Sequence, residues 1–137
     1  MNQNDFVQII NPFREKIFRL AKRLLISTEE AEDATQEVLV KLWQKKNALN
    51  DYKSIEALAM TITKNHCLDQ LKSKRAGNLQ LPEQQRIIIQ LRDIEQYEFS
   101  EIAKIIDISE IAIRVALSRA RKTIREKMLQ THNYGIR

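Results

Sequence analysis

Apolar residues recur at helical spacing along almost the whole chain. Phe13, Ile17, Leu20 and Leu24 lie three or four apart, which predicts one amphipathic helix. Asn11-Pro12 just before them reads as its start, with Asn as N-cap and Pro in the first helical position. Ser27, with Glu30 three residues on, has the pattern of a capping box. The helix it opens carries Ala31, Ala34, Val38 and Leu42 on one face, with Leu39 and Trp43 beside them. Asn47 to Lys53 is a polar break. Ser54 then caps a third helix through about Arg75, with Leu58, Ala59, Ile62, Cys67, Leu68 and Leu71 as its apolar positions.

The pattern lapses at Ala76-Gly77-Asn78 and resumes at Leu81-Pro82. Ile88 and Leu91, with Ile87 and Ile94 near them, are expected to face inward. Glu95-Gln96-Tyr97 reads as a turn, followed by a brief helix around Ser100–Ile106. Asp107-Ile108-Ser109 is a second turn with Ser109 as N-cap, and a last helix is expected from Glu110 to about Leu129. The tail from Thr131 is expected to fray. No segment alternates as a strand does. The expected fold is all-α, with two small helical modules: an N-terminal bundle of three or four helices and a C-terminal helix-turn-helix.

Composition narrows the function. Two Gly and two Pro in 137 residues leave little room for the turns of a β fold. The net charge is +5, but its distribution says more. Residues 114–127 hold Arg114, Arg119, Arg121, Lys122, Arg125 and Lys127 against one acid, Glu126. Residues 28–37 hold Glu29, Glu30, Glu32, Asp33 and Glu37 and no base. A basic helix suits phosphates, and an acidic one suits a basic protein surface. A single cysteine, Cys67, excludes an internal disulfide and fits a reducing cytoplasm. The N-terminal residues have no signal-peptide pattern. No apolar run approaches membrane-spanning length, so no membrane insertion is expected.

In the C-terminal half, Ile102-Ala103, the turn at Asp107–Ser109, and Ile113 and Leu117 have the spacing of a DNA-binding helix-turn-helix. The outer face of the last helix would carry Arg114, Ser118, Arg119 and Lys122. Arg can read guanine bidentately, while Lys and Ser can hold phosphates. Asp107 stands where Gly would be easiest, and Asp tolerates positive φ better than most residues.

Leu81-Pro82-Glu83-x-Gln85-Arg86, Leu91-Arg92-Asp93, Glu101-Ile102-Ala103, Ile108-Ser109 and Leu117-Ser118-Arg119-Ala120-Arg121 together resemble region four of the extracytoplasmic-function (ECF) sigma factors. Ala31-Glu32-Asp33-x-x-Gln36-Glu37-Val38 through Leu42-Trp43 resembles the polymerase-binding helix of region two. Ile62-Thr63-Lys64-Asn65 through Leu68-Asp69-x-Leu71 resembles its promoter-melting part. The resemblance covers nearly the whole chain in family order. It implies region two over 1–75, a linker over 76–81 and region four over 82–137. The implied activity is that of a sigma factor directing RNA polymerase to promoters.

The resemblance also implies roles. Asp33, Gln36, Glu37, Leu39 and Trp43 would face the clamp helices of the polymerase's largest subunit, and the polymerase flap is a further implied contact. Asn65 would read a flipped −10 base, with Lys64, Asp69, Lys72, Lys74 and Arg75 along the opened strand. Arg92, Arg114, Ser118, Arg119, Arg121 and Lys122 would contact the −35 element. An anti-sigma factor is an implied partner, and the free chain is expected to be a cytoplasmic monomer. The chain departs from the family pattern at Leu58, where Trp is common. It departs again at Ala112 and Ala116, where Thr and a basic residue are common, and at Glu98, where Ser often caps.

Five residues separate Arg75 from Leu81. Fully extended, they span only ~20 Å. One turn of duplex is ~35 Å, and the resemblance sets the two promoter elements farther apart than that. The tether is therefore expected to be shortened, or to lack a longer native linker. Two rival readings fit the sequence less well. A dimeric helix-turn-helix regulator would not need the Asp33/Gln36/Glu37 stripe or the Asn65 helix. A metal-dependent nuclease would need clustered ligands. His66 and Cys67 are adjacent and so point ~100° apart on a helix, and His132 stands alone. No catalytic residue, metal or cofactor is expected.

Overall fold

The computed structural model describes the backbone of residues 2–74 and 81–136, and the side chains of residues 2–72 and 83–130. Six α-helices carry the fold, and no strand occurs among the described residues. They are α1 (Gln3–Leu25), α2 (Thr28–Gln44), α3 (Ile55–Lys74), α4 (Leu81–Ile89), α5 (Phe99–Ile106) and α6 (Glu110–Ile136). A 3₁₀ turn, Lys46–Asp51, follows α2, and a π turn, Gln90–Ile94, extends α4.

Serine caps open the helices where the sequence placed them. Ser27 Oγ accepts from Glu30 N at 3.2 Å, Ser54 Oγ from Ala57 N at 3.0 Å, and Ser109 Oγ from Ala112 N at 3.1 Å. Each satisfies one of the amides that a helix start leaves without a partner. In α5, where Glu98 replaces the usual Ser, Glu98 N donates to Glu101 Oε1 at 3.4 Å.

Helix α1 does not begin at Pro12. It begins at Gln3, capped by Asn2 Oδ1, which accepts from Asp5 N at 2.8 Å, and Pro12 lies inside it. A proline within a helix forfeits one hydrogen bond and costs roughly 3 kcal/mol. The extra turns offset this by burying Phe6 and Ile10 on the same face as Ile17. Gln8, whose carbonyl the proline leaves unbonded, is exposed to water. The expected polar break after α2 is instead a 3₁₀ turn, anchored by the fully buried Leu49. Ile94 was expected inward and is 49% exposed. The cause is the π turn: Glu95 N bonds to Gln90 O at 2.9 Å, five residues back, which rotates Ile94 off the core face. Helix α6 also continues past Leu129, to Ile136.

The N-terminal module packs α1, α2 and α3 against one another, and the C-terminal module packs α4 and α5 on α6. The two do not stand apart. Helix α1 packs on α4 and on the π turn, and α3 packs on α5, so the buried apolar residues form one continuous core.

Candidate polymerase and nucleic-acid interfaces

Three surfaces carry the residues singled out in the sequence. The first is the outer face of α2. Asp33, Gln36 and Glu37 are exposed along one stripe, with Val40 one turn on. Burial of Ala31, Ala34, Val38 and Leu42 on the opposite face sets this orientation. Leu39 is half-buried against the core. Trp43 is half-buried too. Its ring meets Phe6 edge-on with centroids 5.1 Å apart, and Lys46 Nζ lies 4.2 Å from its centroid. The indole is thus partly core, with a cation covering it.

The second surface is α3. Asn65, Asp69 and Lys72 are exposed and spaced as one helical stripe. Lys64 is not on it. It is half-buried toward the second module; burial pushes its ammonium below the ordinary range, and the nearby Asp107 opposes that shift. The side chain of Lys74 and all of Arg75 lie outside the described residues. His66 Nδ1 lies 3.1 Å from Lys41 Nζ on α2.

The third surface is the helix-turn-helix of α5 and α6. Asp107 adopts the left-handed conformation, φ 56° and ψ 49°, that the tight turn requires. Ile113 and Leu117 are buried against α5, as the spacing predicts. Ser118, Arg119 and Lys122 are exposed. Arg114, also exposed, and the half-buried Arg92 converge on one ring: their guanidinium carbons lie 4.5 and 4.4 Å from the Phe99 centroid. Arg92 also donates through Nη1 to Tyr97 O at 2.9 Å. Arg121 is held by Asp93, with Nε donating to Oδ2 at 3.2 Å. A groove of about 700 Å³ runs between Asp93, Phe99, Arg114, Ser118, Arg121 and Arg125.

Between the modules lies a polar network that sequence reasoning missed. Arg19 of α1 donates Nε and Nη2 to the two oxygens of Glu95, at 2.7 and 2.8 Å. Gln90 Nε2 donates to Glu95 Oε2 at 2.9 Å, and its Oε1 accepts from Arg23 Nε at 3.0 Å. The Glu95 side chain is 2% exposed. Burial alone would push its carboxyl up, but the hydrogen bonds from Arg19 and Gln90 outweigh it and hold the group below the ordinary carboxylate range. Nearby, Lys16 Nζ pairs with Glu56 Oε2 at 3.3 Å and sits 5.5 Å from the Tyr97 ring centroid. Arg23 and Gln90 lie 67 residues apart in sequence and Arg19 and Glu95 lie 76 apart, so no local pattern could have announced these two pairs.

Residues 9–77 match the family model for sigma-70 region 2, and residues 79–124 match that for sigma-70, region 4. The first match alone spans half the chain. The chain belongs to the sigma-70 family. It is a sigma factor, directing RNA polymerase to specific promoters and starting transcription there, and its partners are core polymerase and promoter DNA. The family's members are regulatory and not catalytic proteins.

The ECF RNA polymerase sigma factor SigW of Bacillus subtilis is 20% identical over 169 residues, covering 93% of this chain and 90% of that protein. Among solved structures, the sigma factor RpoE in complex with the anti-sigma factor NepR from Bartonella quintana superposes with a TM-score of 0.78. It is 22% identical, and the match covers 89% of this chain and 95% of that one. CnrH in complex with the cytosolic domain of CnrY superposes with a TM-score of 0.74, again at 22% identity, over 93% and 89% of the two chains. Both share the all-helical fold. Among the described residues no helix is long and apolar enough to cross a membrane.

Proposed function

We propose that residues 1–75 grip the polymerase and open the −10 element, that residues 82–137 read the −35 element, and that 76–81 connect them. The observation carrying this division is that exposed stripes of opposite character occur in family order. An acidic one, Asp33, Gln36 and Glu37, lies on α2. It is followed on α3 by Asn65, Asp69 and Lys72, and on α6 by Ser118, Arg119 and Lys122. The α2 stripe, with Leu39 and the half-buried Trp43 at its edge, suits the clamp helices of the largest subunit. Region 4 suits the flap.

Asn65 is exposed and offers an amide donor and acceptor to an unstacked base edge. Lys72, Lys74 and Arg75 would follow the strand, while Lys64, half-buried here, reaches it only once α3 and α5 part. On α6, Arg119 and Lys122 face outward, whereas Arg92, Arg114 and Arg121 would hold the flanking phosphates. No catalytic step, metal or cofactor is assigned to the chain, and it acts as a cytoplasmic monomer when free. An anti-sigma factor completes the proposed partner set.

The connector 76–81 enters this proposal as a shortened link, and two observations support it. The alignment with SigW runs over 169 positions, more than the 137 residues present here, while the two family matches leave only Asn78 between them. Run-off transcription with bacterial core polymerase on a promoter library tests the assignment. A promoter-specific transcript is expected, and Asn65→Ala should impair strand opening while −35 duplex binding stays nearly intact. Equal loss of both would contradict the separation of roles.

A further inference from the structure

The middle of the α6 recognition face is apolar. A helix turns about 100° per residue, so burial of Ile113, Leu117 and Ala120 fixes the opposite direction as outward. That direction is occupied by Ile111 and Val115, with Ser118 and Lys122 alongside. Ile111 is 76% exposed and Val115 45% exposed, in the first two turns of the helix. The small Ala112 and the half-buried Ala116 lie beside them. Arg114 lies over the Phe99 ring and Arg121 is paired with Asp93, while Arg119 stays exposed one turn past Val115. Among the described residues nothing covers this patch, although α3 and α5 are closed on one another.

Two branched side chains exposed side by side on the outward line of a recognition helix offer an apolar surface to whatever that helix docks against. In the major groove, the only apolar group on a base edge is the thymine 5-methyl. The phosphate-seeking cations flanking the patch, Arg119 and Lys122 on one side and Arg114 on the other, select duplex DNA over a protein surface. We infer that Ile111 and Val115 determine promoter specificity by packing on thymine methyl groups in the −35 element. The inference rests on the −35 reading of α6 proposed above. It makes Arg114 a contributor of affinity and leaves base choice to the two aliphatic residues.

Deoxyuridine isolates the contact, because it differs from thymine only in that methyl. Holoenzyme assembled from this chain and core polymerase would first select a −35 duplex from a random library. Each thymine in the selected site would then be replaced by deoxyuridine. At one or two positions binding should fall about fourfold, the worth of one buried methyl. Ile111→Ala or Val115→Ala should erase the thymine-over-uracil preference at one such position and leave the salt dependence of binding unchanged. Arg114→Ala should weaken thymine and uracil duplexes alike. A selected site with no thymine preference, or variants that keep the wild-type ratio, overturns the inference. Failure to select any −35 sequence overturns the underlying reading and the inference with it.

Discussion

Cys67 and His66 are neighbours in α3 with opposite surroundings. Cys67 is fully buried, and burial pushes its thiol up to about 12. A thiol so placed is not a nucleophile at neutral pH. It should resist alkylation in the folded protein and react at the ordinary rate in denaturant, as thiol titration followed by mass spectrometry would report. His66 is half-buried. Burial first, then the adjacent Lys41, lower its pKa. In an NMR titration it should therefore take up its proton below the usual ~6.5, and Lys41→Met should move that midpoint upward. The sequence signalled Cys67's burial through its place on the apolar face. It carried no signal for His66, whose partner is 25 residues away on another helix.

At the scale of single elements, capping chemistry was legible and backbone exceptions were not. Ser27, Ser54 and Ser109 cap where expected because a hydroxyl on the residue before a helix is sufficient, whatever packs elsewhere. Pro12 was misread because its local preference yields to the burial of Phe6 and Ile10, which no short window weighs. Ile26 is a further exception. It closes α1 at φ 72° and ψ −44°, a positive-φ position that a β-branched residue resists, and Lys22 Nζ donates to its carbonyl. Its side chain is 63% exposed, so little packing holds it there. Ile26→Gly should accordingly stabilise the protein by about 1 kcal/mol, from relief of backbone strain. Thermal or urea unfolding would show it, and a variant less stable than the parent would count against the strained turn. The π turn belongs here too: it moves Ile94 outward and brings Gln90 in beneath Glu95.

Across the whole molecule, the junction of the two modules is the feature with most consequence. Glu95 is buried between Arg19 and Gln90, and its folded-state pKa is depressed. The stability it contributes is present above the unfolded carboxylate pKa of ~4.3 and is lost as pH falls through the lower folded value. Acid should therefore loosen the junction only below about pH 4, first in α1 and α4, as amide exchange would resolve. Glu95→Gln keeps the shape but leaves Arg19 without its charge partner. It should expose α1 and α4 to faster exchange at neutral pH and flatten the acid limb of the stability curve. Unchanged exchange in those helices would mean that apolar packing alone holds the modules together. Opening here also bears on function, since Lys64 is half-buried toward Asp107 while the modules are closed.

The all-α class and the helix-turn-helix spacing followed from periodicity, caps and charge along the chain, while the candidate residues of α2 and α3 were named through the family resemblance. Those features are local, or repeat over one or two helical turns, so the linear sequence is enough to specify them. Tertiary structure decided the rest. It set which arginines of α6 face outward and which are tied to Phe99 and Asp93. It carried α1 through Pro12, turned Lys64 inward and buried Glu95 between modules. Each of these depends on a partner brought close only by the fold, where burial strengthens the pairing and removes the alternative of water.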